Sequence, residues 1–243
     1  MARSKLDRAI DLTKDEEYLS ALTLFLDIFG TEDAPPLAVA KDGKLAGLAR
    51  PFLEAVASPA ATPGGGSVSA FAGALAAALG QMVAGLSRKK KSQVGFADQL
   101  SAALEEMRKN ADELAEAIDR DAASYDAVMA AFKLSQETAQ ETQQREEGIQ
   151  KTTKGAAEVP LHVAERTVEL FERLGQLDAI VAASMRSDLQ VARLMAEAGA
   201  RGALANVEIN LDGLKDAAYV ASMRTKITAL RERLGNAARA TKA

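Results

Sequence analysis

The sequence predicts an all-α protein, a bundle of long helices packed on one another. Three observations predict it. Hydrophobic residues make up 48% of the chain and aromatics only 4%, with alanine abundant and β-branched runs scarce, so the core is expected to be helix on helix. Leu100, Leu104, Met107, Ala111, Leu114, Ile118, Asp121, Tyr125, Val128 and Phe132 recur at an uninterrupted four-three spacing, the stripe of one long helix over residues 96–132. Val68, Phe71, Leu75, Leu79, Met82 and Leu86 repeat at threes and fours, a coiled-coil-like seam in the most apolar run of the chain.

The elements follow in order. Residues 1–45 read as an N-terminal appendage without an assignable role, separate from a helical domain over 46–243. Residues 18–28 suit a short helix, ended by Pro35 and Pro36, and Asp42-Gly43 suits the turn of a small hairpin across 37–45. A short amphipathic helix is expected over 48–57. Pro63-Gly64-Gly65-Gly66-Ser67 then leads into the helix over 67–86, with Ser67 as a good N-cap. Three glycines leave the backbone bare, so its N–H groups are open to an anionic or carbonyl group at a helix N-terminus. No Gly-Lys-Ser/Thr follows, so this is not a P-loop. Gly66, Gly73 and Gly80 recur every seven residues and mark a second, small-residue face, either an intramolecular contact or the seam of a homodimer. The run is long enough to invite a membrane reading, but its Ala and Gly content and the apolar faces downstream fit a buried core helix better. Lys89, Lys90 and Lys91, with Arg88, form the densest positive run, either a solvated loop or a landing site for a polyanion.

Asp121 is the one charged member of the long stripe. A carboxylate on a helix seam faces other helices, where an ionised acid is costly without partners. Desolvation there favours the protonated form and suits proton transfer at neutral pH; a buried acid that only pairs structurally is the alternative. Residues 134–144 read as a polar loop running into the next helix. Pro160 interrupts the stripe of Ile149, Thr153, Ala156, Val163 and Thr167 and is expected to kink or end that helix. His162, the single histidine, reads as an ordinary surface or core residue. Helices are expected over 177–200, 202–214 and 217–240. The first carries Arg186, Ser187 and Asp188 beside an apolar edge. The second carries Asn206 and Asn210 four apart, suited to reading a heterocycle with donors and acceptors or to tying helices together.

Composition excludes several classes. The formal charge of −4 carries no nucleic-acid signature. With no cysteine there is no disulfide and no thiol nucleophile, and one histidine leaves no His-based metal cluster. Residues 1–13 are charged and lack a signal-peptide core, so a cytoplasmic protein is the expectation.

Thr62-Pro63-Gly64-Gly65-Gly66-Ser67-Val68, Met82-Val83, the lysine cluster, Asp121 with Tyr125, Val159-Pro160-Leu161, Arg186-Ser187-Asp188-Leu189-Gln190-Val191-Ala192 and Asn206-Val207-Glu208-Ile209-Asn210-Leu211 occur in this order. Each motif is weak alone, but together they resemble the cyclodeaminase/cyclohydrolase family of folate enzymes, over residues 48–234. The Arg-Ser-Asp run looks more like the cyclodeaminase branch. The chain departs from the family pattern at Val181-Ala182, where Gly-Asn is usual, at Leu134-Ser135, where Leu-Pro is usual, and at Ser92-Gln93, near a usual aromatic.

The resemblance implies an all-α fold that dimerises through its helices and binds folate in a cleft near the subunit contact. It implies a formimidoyltetrahydrofolate cyclodeaminase, which needs no cofactor beyond the tetrahydrofolate substrate and works with or without a separate formiminotransferase. Asp121 is expected as acid/base and Asp188 as an electrostatic or second proton group. Gly64, Gly65, Gly66 and Ser67 are expected to line the cleft, Asn206 and Asn210 to orient the pterin, Arg186 and Ser187 to contact substrate, and Lys89, Lys90 and Lys91 to attract a glutamate tail. No metal, nucleic acid or membrane is implied. A methenyltetrahydrofolate cyclohydrolase and a non-catalytic folate-binding or scaffold protein are the alternatives.

Overall fold

The structure, a computed structural model, describes residues 45–240. The expected helix at 18–28, and the hairpin across 37–45 except its last residue, lie outside the described residues. Six α-helices and no strand occupy what is described: α1 (Ala46–Ala57), α2 (Gly65–Arg88), α3 (Ala97–Phe132), α4 (Ala139–Leu177), α5 (Arg186–Leu211) and α6 (Ala217–Ala240). The all-α expectation holds. α1 belongs to a separate compact unit that ends at Pro59. The site lies in the second unit.

α2 is the central helix of that unit and touches α3, α4 and α5. Its small residues make this possible. Gly66, Ala70, Gly73, Ala76, Ala77, Gly80 and Ala84 are buried. A Cβ built on Gly73 would sit 2.6 Å from Thr167 Cγ2 of α4 and 3.1 Å from Leu114 Cδ1 of α3, and one on Gly80 would sit 2.7 Å from Leu174 Cδ2 and 3.1 Å from Met107 Sδ. One on Gly66 would fall on Asp121 Oδ1. Each step of seven up α2 is matched by seven down α3, so the two helices run antiparallel with the glycines facing Asp121, Leu114 and Met107 in turn. The small-residue face is therefore intramolecular. The large-residue seam points the other way, leaving Val68, Leu75, Met82 and Leu86 exposed at 38%, 43%, 42% and 40%, with Phe71 and Leu79 half-buried. By length and composition α2 could also cross a membrane, but 44% of its most apolar window is buried within the fold.

Two expected breaks are absent. α4 runs unbroken through Pro160, which is buried. Proline has no N–H to give the carbonyl four residues back, and that carbonyl, Ala156 O, instead accepts from Asn210 Nδ2 of α5 at 2.9 Å. α5 likewise runs through Gly202. Gly199 and Gly202 are contact glycines: a Cβ on Gly199 would lie 2.9 Å from Ser69 O, and one on Gly202 would collide with Ser69 Oγ. The third difference goes the other way. The segment expected to start a helix at 177 is a connection, with a 3-10 turn at Ala183–Met185 before α5 begins. Ser87 Oγ accepts from Ala182 N at 3.0 Å, and Gln93 Nε2 donates to Ile180 O and Val181 O, both at 3.2 Å, so this backbone is satisfied without a helix. α6 packs mainly on α4 and is clamped by the Arg233–Glu172 and Arg231–Glu208 pairs, at 2.7 and 2.6 Å.

Asn210→Ala removes the substitute donor for Ala156 O and is expected to lower stability by about 1–2 kcal/mol. Urea unfolding of the single and double variants checks this: the loss should shrink once Pro160→Ala returns a backbone N–H to that position.

Candidate active site

The glycine loop enters α2 with Gly64 as the N-cap, so Ser67 is the third residue of the helix rather than its cap. Gly66 lets α3 come close enough for the Asp121 carboxylate to lie against the first turn of α2. Ser67 Oγ donates to Asp121 Oδ2 at 2.9 Å, with Ile118 O at 3.2 Å as a second acceptor. The positive end of the α2 dipole is thus met by a carboxylate of the protein itself. Asn206 completes this end: a Cβ on Gly65 would lie 3.2 Å from its Nδ2, which donates to Gly202 O at 2.9 Å. Asn210 is a turn further along, its amide on Ala156 O and, at 3.0 Å, on Asn206 O. Asp121, Asn206 and Asn210 are half-buried, Gly65 is exposed, and Ser67 is fully buried.

α3 continues beyond the point where α2 begins. In the antiparallel register, the residue opposite Gly65 is Ala122, so the last turns of α3 overhang the glycine loop. Tyr125, Met129 and Phe132 on this overhang are exposed. Here α3 and α4 part to leave a cavity of about 560 Å³ lined by Arg120, Ser124, Thr152, Glu158, Val159 and His162 among others. That volume suits a small molecule. Ser124 Oγ donates to Asp121 O at 2.7 Å, linking the cavity wall to the turn that carries Asp121. His162 Nε2 lies 2.6 Å from Glu113 Oε1, and Arg166 Nε lies 3.3 Å from the same oxygen. The sequence reading had not singled out Arg120, Ser124, Thr152 and Glu158. Their signal was small and polar residues recurring at threes and fours beside the apolar stripe.

The remaining expected site residues lie elsewhere. Asp188 is in the first turn of α5 and Asn206 near its end, about 27 Å apart along the axis at ~1.5 Å per residue. Because Asn206 faces Gly65, Gly202 packs on Ser69 and Gly199 reaches Gly73 N, α5 runs antiparallel to α2, and its start lies beside the end of α2. Ala182 on Ser87 makes the same point. Arg186, Ser187 and Asp188 therefore share the far end of the bundle with Lys89, Lys90 and Lys91. The lysines, Arg186 and Ser187 are exposed, and Asp188 is half-buried in the first turn of α5. Arg186 Nε is 3.7 Å from Asp178 Oδ1. The expected site residues thus fall into two groups in one chain, Gly64–Ser67 with Asp121, Asn206 and Asn210 at one end, and the lysines with Arg186–Asp188 at the other. Among the described residues, no group of three His, Asp or Glu is placed to hold a metal ion.

A family model described as formiminotransferase-cyclodeaminase matches residues 49–229. The formimidoyltransferase-cyclodeaminase of Sus scrofa is 35% identical over 182 residues, 74% of this chain and 34% of that protein. The chain thus spans about a third of the length of such relatives. A methenyltetrahydrofolate cyclohydrolase from Methylorubrum extorquens is 38% identical over 174 residues, 69% of this chain and 81% of that protein. The crystal structure of a formiminotetrahydrofolate cyclodeaminase from Thermotoga maritima superposes with a TM-score of 0.71 at 27% identity, covering 79% of this chain and 92% of that one.

Gly66→Ala is expected to force Asp121 off the first turn of α2 and to lower stability by about 1–3 kcal/mol, as overpacking does. Gly95→Ala, where a Cβ meets nothing within 4 Å, is the control and is expected to be near neutral in the same thermal unfolding measurement.

Proposed function

From its membership of the formiminotransferase-cyclodeaminase family, we propose that this chain is a formimidoyltetrahydrofolate cyclodeaminase. The observation that carries the reading is the Asp121 carboxylate, held half-buried on the first turn of α2 beside the glycine loop and Asn206. In this reaction N-10 of 5-formimino-tetrahydrofolate attacks the formimino carbon. A C–N bond forms there, the C–N bond to the departing nitrogen breaks, and ammonia and 5,10-methenyltetrahydrofolate result. No electrons are gained or lost, so the chemistry asks for no redox cofactor. It asks for two nitrogens held together and for one proton moved from N-10 towards the leaving nitrogen. Asp121 is the group proposed to carry that proton. Asn206 and the exposed face of Gly65 would meet the pterin, and Lys89, Lys90 and Lys91 would attract the glutamate tail. In the larger relatives the name joins a transferase to the cyclodeaminase, and a separate formiminotransferase is proposed to supply substrate here.

The two groups of site residues are proposed to meet in a homodimer. Val68, Leu75, Met82 and Leu86 make one exposed apolar line along α2, with Val191 and Leu194 exposed at 49% and 54% on the adjoining helix. A two-fold axis through the middle of that line, near Leu75 and Leu79, sets α2 antiparallel to its copy. Gly65 of one protomer then lies opposite residue 89 of its partner, and the partner's Arg186–Asp188 end comes to the Asp121 end. Asp188 would there offset the amidinium charge of the substrate.

One observation favours a second reading. The Methylorubrum extorquens cyclohydrolase matches over most of its length. The same carboxylates could serve as base for water attacking the methenyl carbon, giving 10-formyltetrahydrofolate.

Release of ammonia with a rise of methenyl absorbance tests the proposal. Turnover of 5-formimino-tetrahydrofolate is expected, with Asp121→Asn folded and at least about a thousandfold slower. Loss of methenyl absorbance, with no ammonia from the formimino substrate, would establish the cyclohydrolase instead. The shared site has its own check. Random mixing of inactive Asp121→Asn and Asp188→Asn chains is expected to restore about a quarter of wild-type activity, because one site in four then keeps both carboxylates. No recovery would place both carboxylates in one protomer's site.

A further inference from the structure

A residue that lines a cleft touches solvent, and Ser67 does not: its exposure is 0%. Its hydroxyl reaches α3 instead, with Asp121 Oδ2 at 2.9 Å and Ile118 O at 3.2 Å. We infer that Ser67 is a positioning residue that holds the Asp121 carboxyl in place in both of its protonation states. This rests on the reading of Asp121 as the acid–base group of the folate reaction.

A hydroxyl has one proton to donate and lone pairs to accept with. While Asp121 is ionised, Ser67 gives its proton to Oδ2, a charge-assisted bond. When Asp121 carries a proton on Oδ2, that O–H donates to Ser67 Oγ, and the serine turns its own proton to Ile118 O. The pair gains the one proton that Asp121 has taken up. No heavy atom has to move, because both acceptors stand on α3 within one turn. The other carboxyl oxygen, Oδ1, lies over Gly66, where any side chain would displace it. The carboxyl is thus held from α2 at Oδ2 by the hydroxyl, and the bare backbone of Gly66 leaves room for Oδ1.

The arrangement answers a specific need. A group that takes a proton from one nitrogen and returns it to another must stand in one place before and after the transfer. A serine with a single acceptor would satisfy only the ionised form. The carbonyl of Ile118 supplies the second state. Ser67 and Gly66 are adjacent, so the glycine loop serves the acid as well as any ligand above it.

The test uses the full chain with ¹³C-labelled aspartate and reads two quantities. One is the infrared carboxylate stretch that disappears in Asp121→Asn. The other is the separation of kcat from KM in ammonia release. Ser67→Ala is expected to move that stretch and to lower kcat about tenfold to a hundredfold, with KM changed less than about threefold. Ser67→Cys, close in size and a weaker donor, is expected to fall between, and it carries the measurement if Ser67→Ala does not fold. A stretch that stays in place, or a kcat that falls only in step with the folded fraction, overturns the inference while leaving Asp121→Asn to judge the reaction. If the wild-type protein releases no ammonia, the proposed reaction fails, and the infrared stretch still decides whether Ser67 holds Asp121.

Discussion

The close approach of backbone along α2 is the constraint on which the rest of this unit depends. Helices that meet through large side chains stand about 8–10 Å apart. With glycine at 66, 73 and 80 and alanine between, α2 admits Leu114, Met107, Thr167 and Leu174 into the space of its own missing side chains. Three helices can then share one central helix. The same contact brings Asp121 down onto the first turn of α2, so the placement of the acid and the packing of the core follow from a single register. The exposed line of Val68, Leu75, Met82 and Leu86 is the other side of this constraint. A helix that turns its small residues inward has to turn its large ones outward, and a stripe of that length in water calls for a partner surface.

Much of the architecture was legible in the residues. The four-three spacing of the long stripe located α3 almost to the residue, because long periodic runs leave little freedom. What periodicity does not reveal is which of two faces a helix buries. α2 carries one stripe of large residues and one of small, and hydrophobicity alone points to the large one. Closeness of approach decides for the small one, and that is a property of the neighbours. The glycine spacing of seven was visible, but its partners on α3 and α4 were not.

The spread of the expected site residues follows from two helices that run on. Pro160 and Gly202 both read as breaks. Neither breaks. At Pro160 the orphaned carbonyl finds Asn210 of the next helix, and at Gly202 the missing side chain makes room for Ser69. α4 and α5 therefore run on, and the first turn of α5 is carried to the opposite end of the bundle from its last. The compensation in each case is a tertiary contact between residues far apart in sequence, which is why local propensity misjudged it. Asn210 shows how far this reaches. Its carboxamide, a candidate reader of a heterocycle, already has both its Nδ2 contacts on backbone carbonyls, one across to α4 and one within α5. Asn206, which faces Gly65, is the better placed of the two to meet a ligand.

Two departures from the family pattern, at Ser92-Gln93 and at Val181-Ala182, lie far apart in the chain and touch in the fold. Gln93 Nε2 donates to the carbonyls of Ile180 and Val181, and the Ala182 amide is held by Ser87 Oγ. Val181 and Ala182 are buried, at 3% and 5% exposure, so their side chains belong to the packing beneath the loop. A change at one of these places alters the surface the other must satisfy, and the two are one local solution to fixing the connection into α5. That connection sets the position of Arg186, Ser187 and Asp188. Two of the three departures thus lie at the end proposed to be given to the partner's site, while the third, Leu134-Ser135, follows the overhang of α3 at the Asp121 end. The Asp121 end keeps the glycines, the serine and the asparagines of that pattern. The paired departures at 92–93 and 181–182 therefore bear on the donated end, while the glycine register of α2 still places Asp121 and its support.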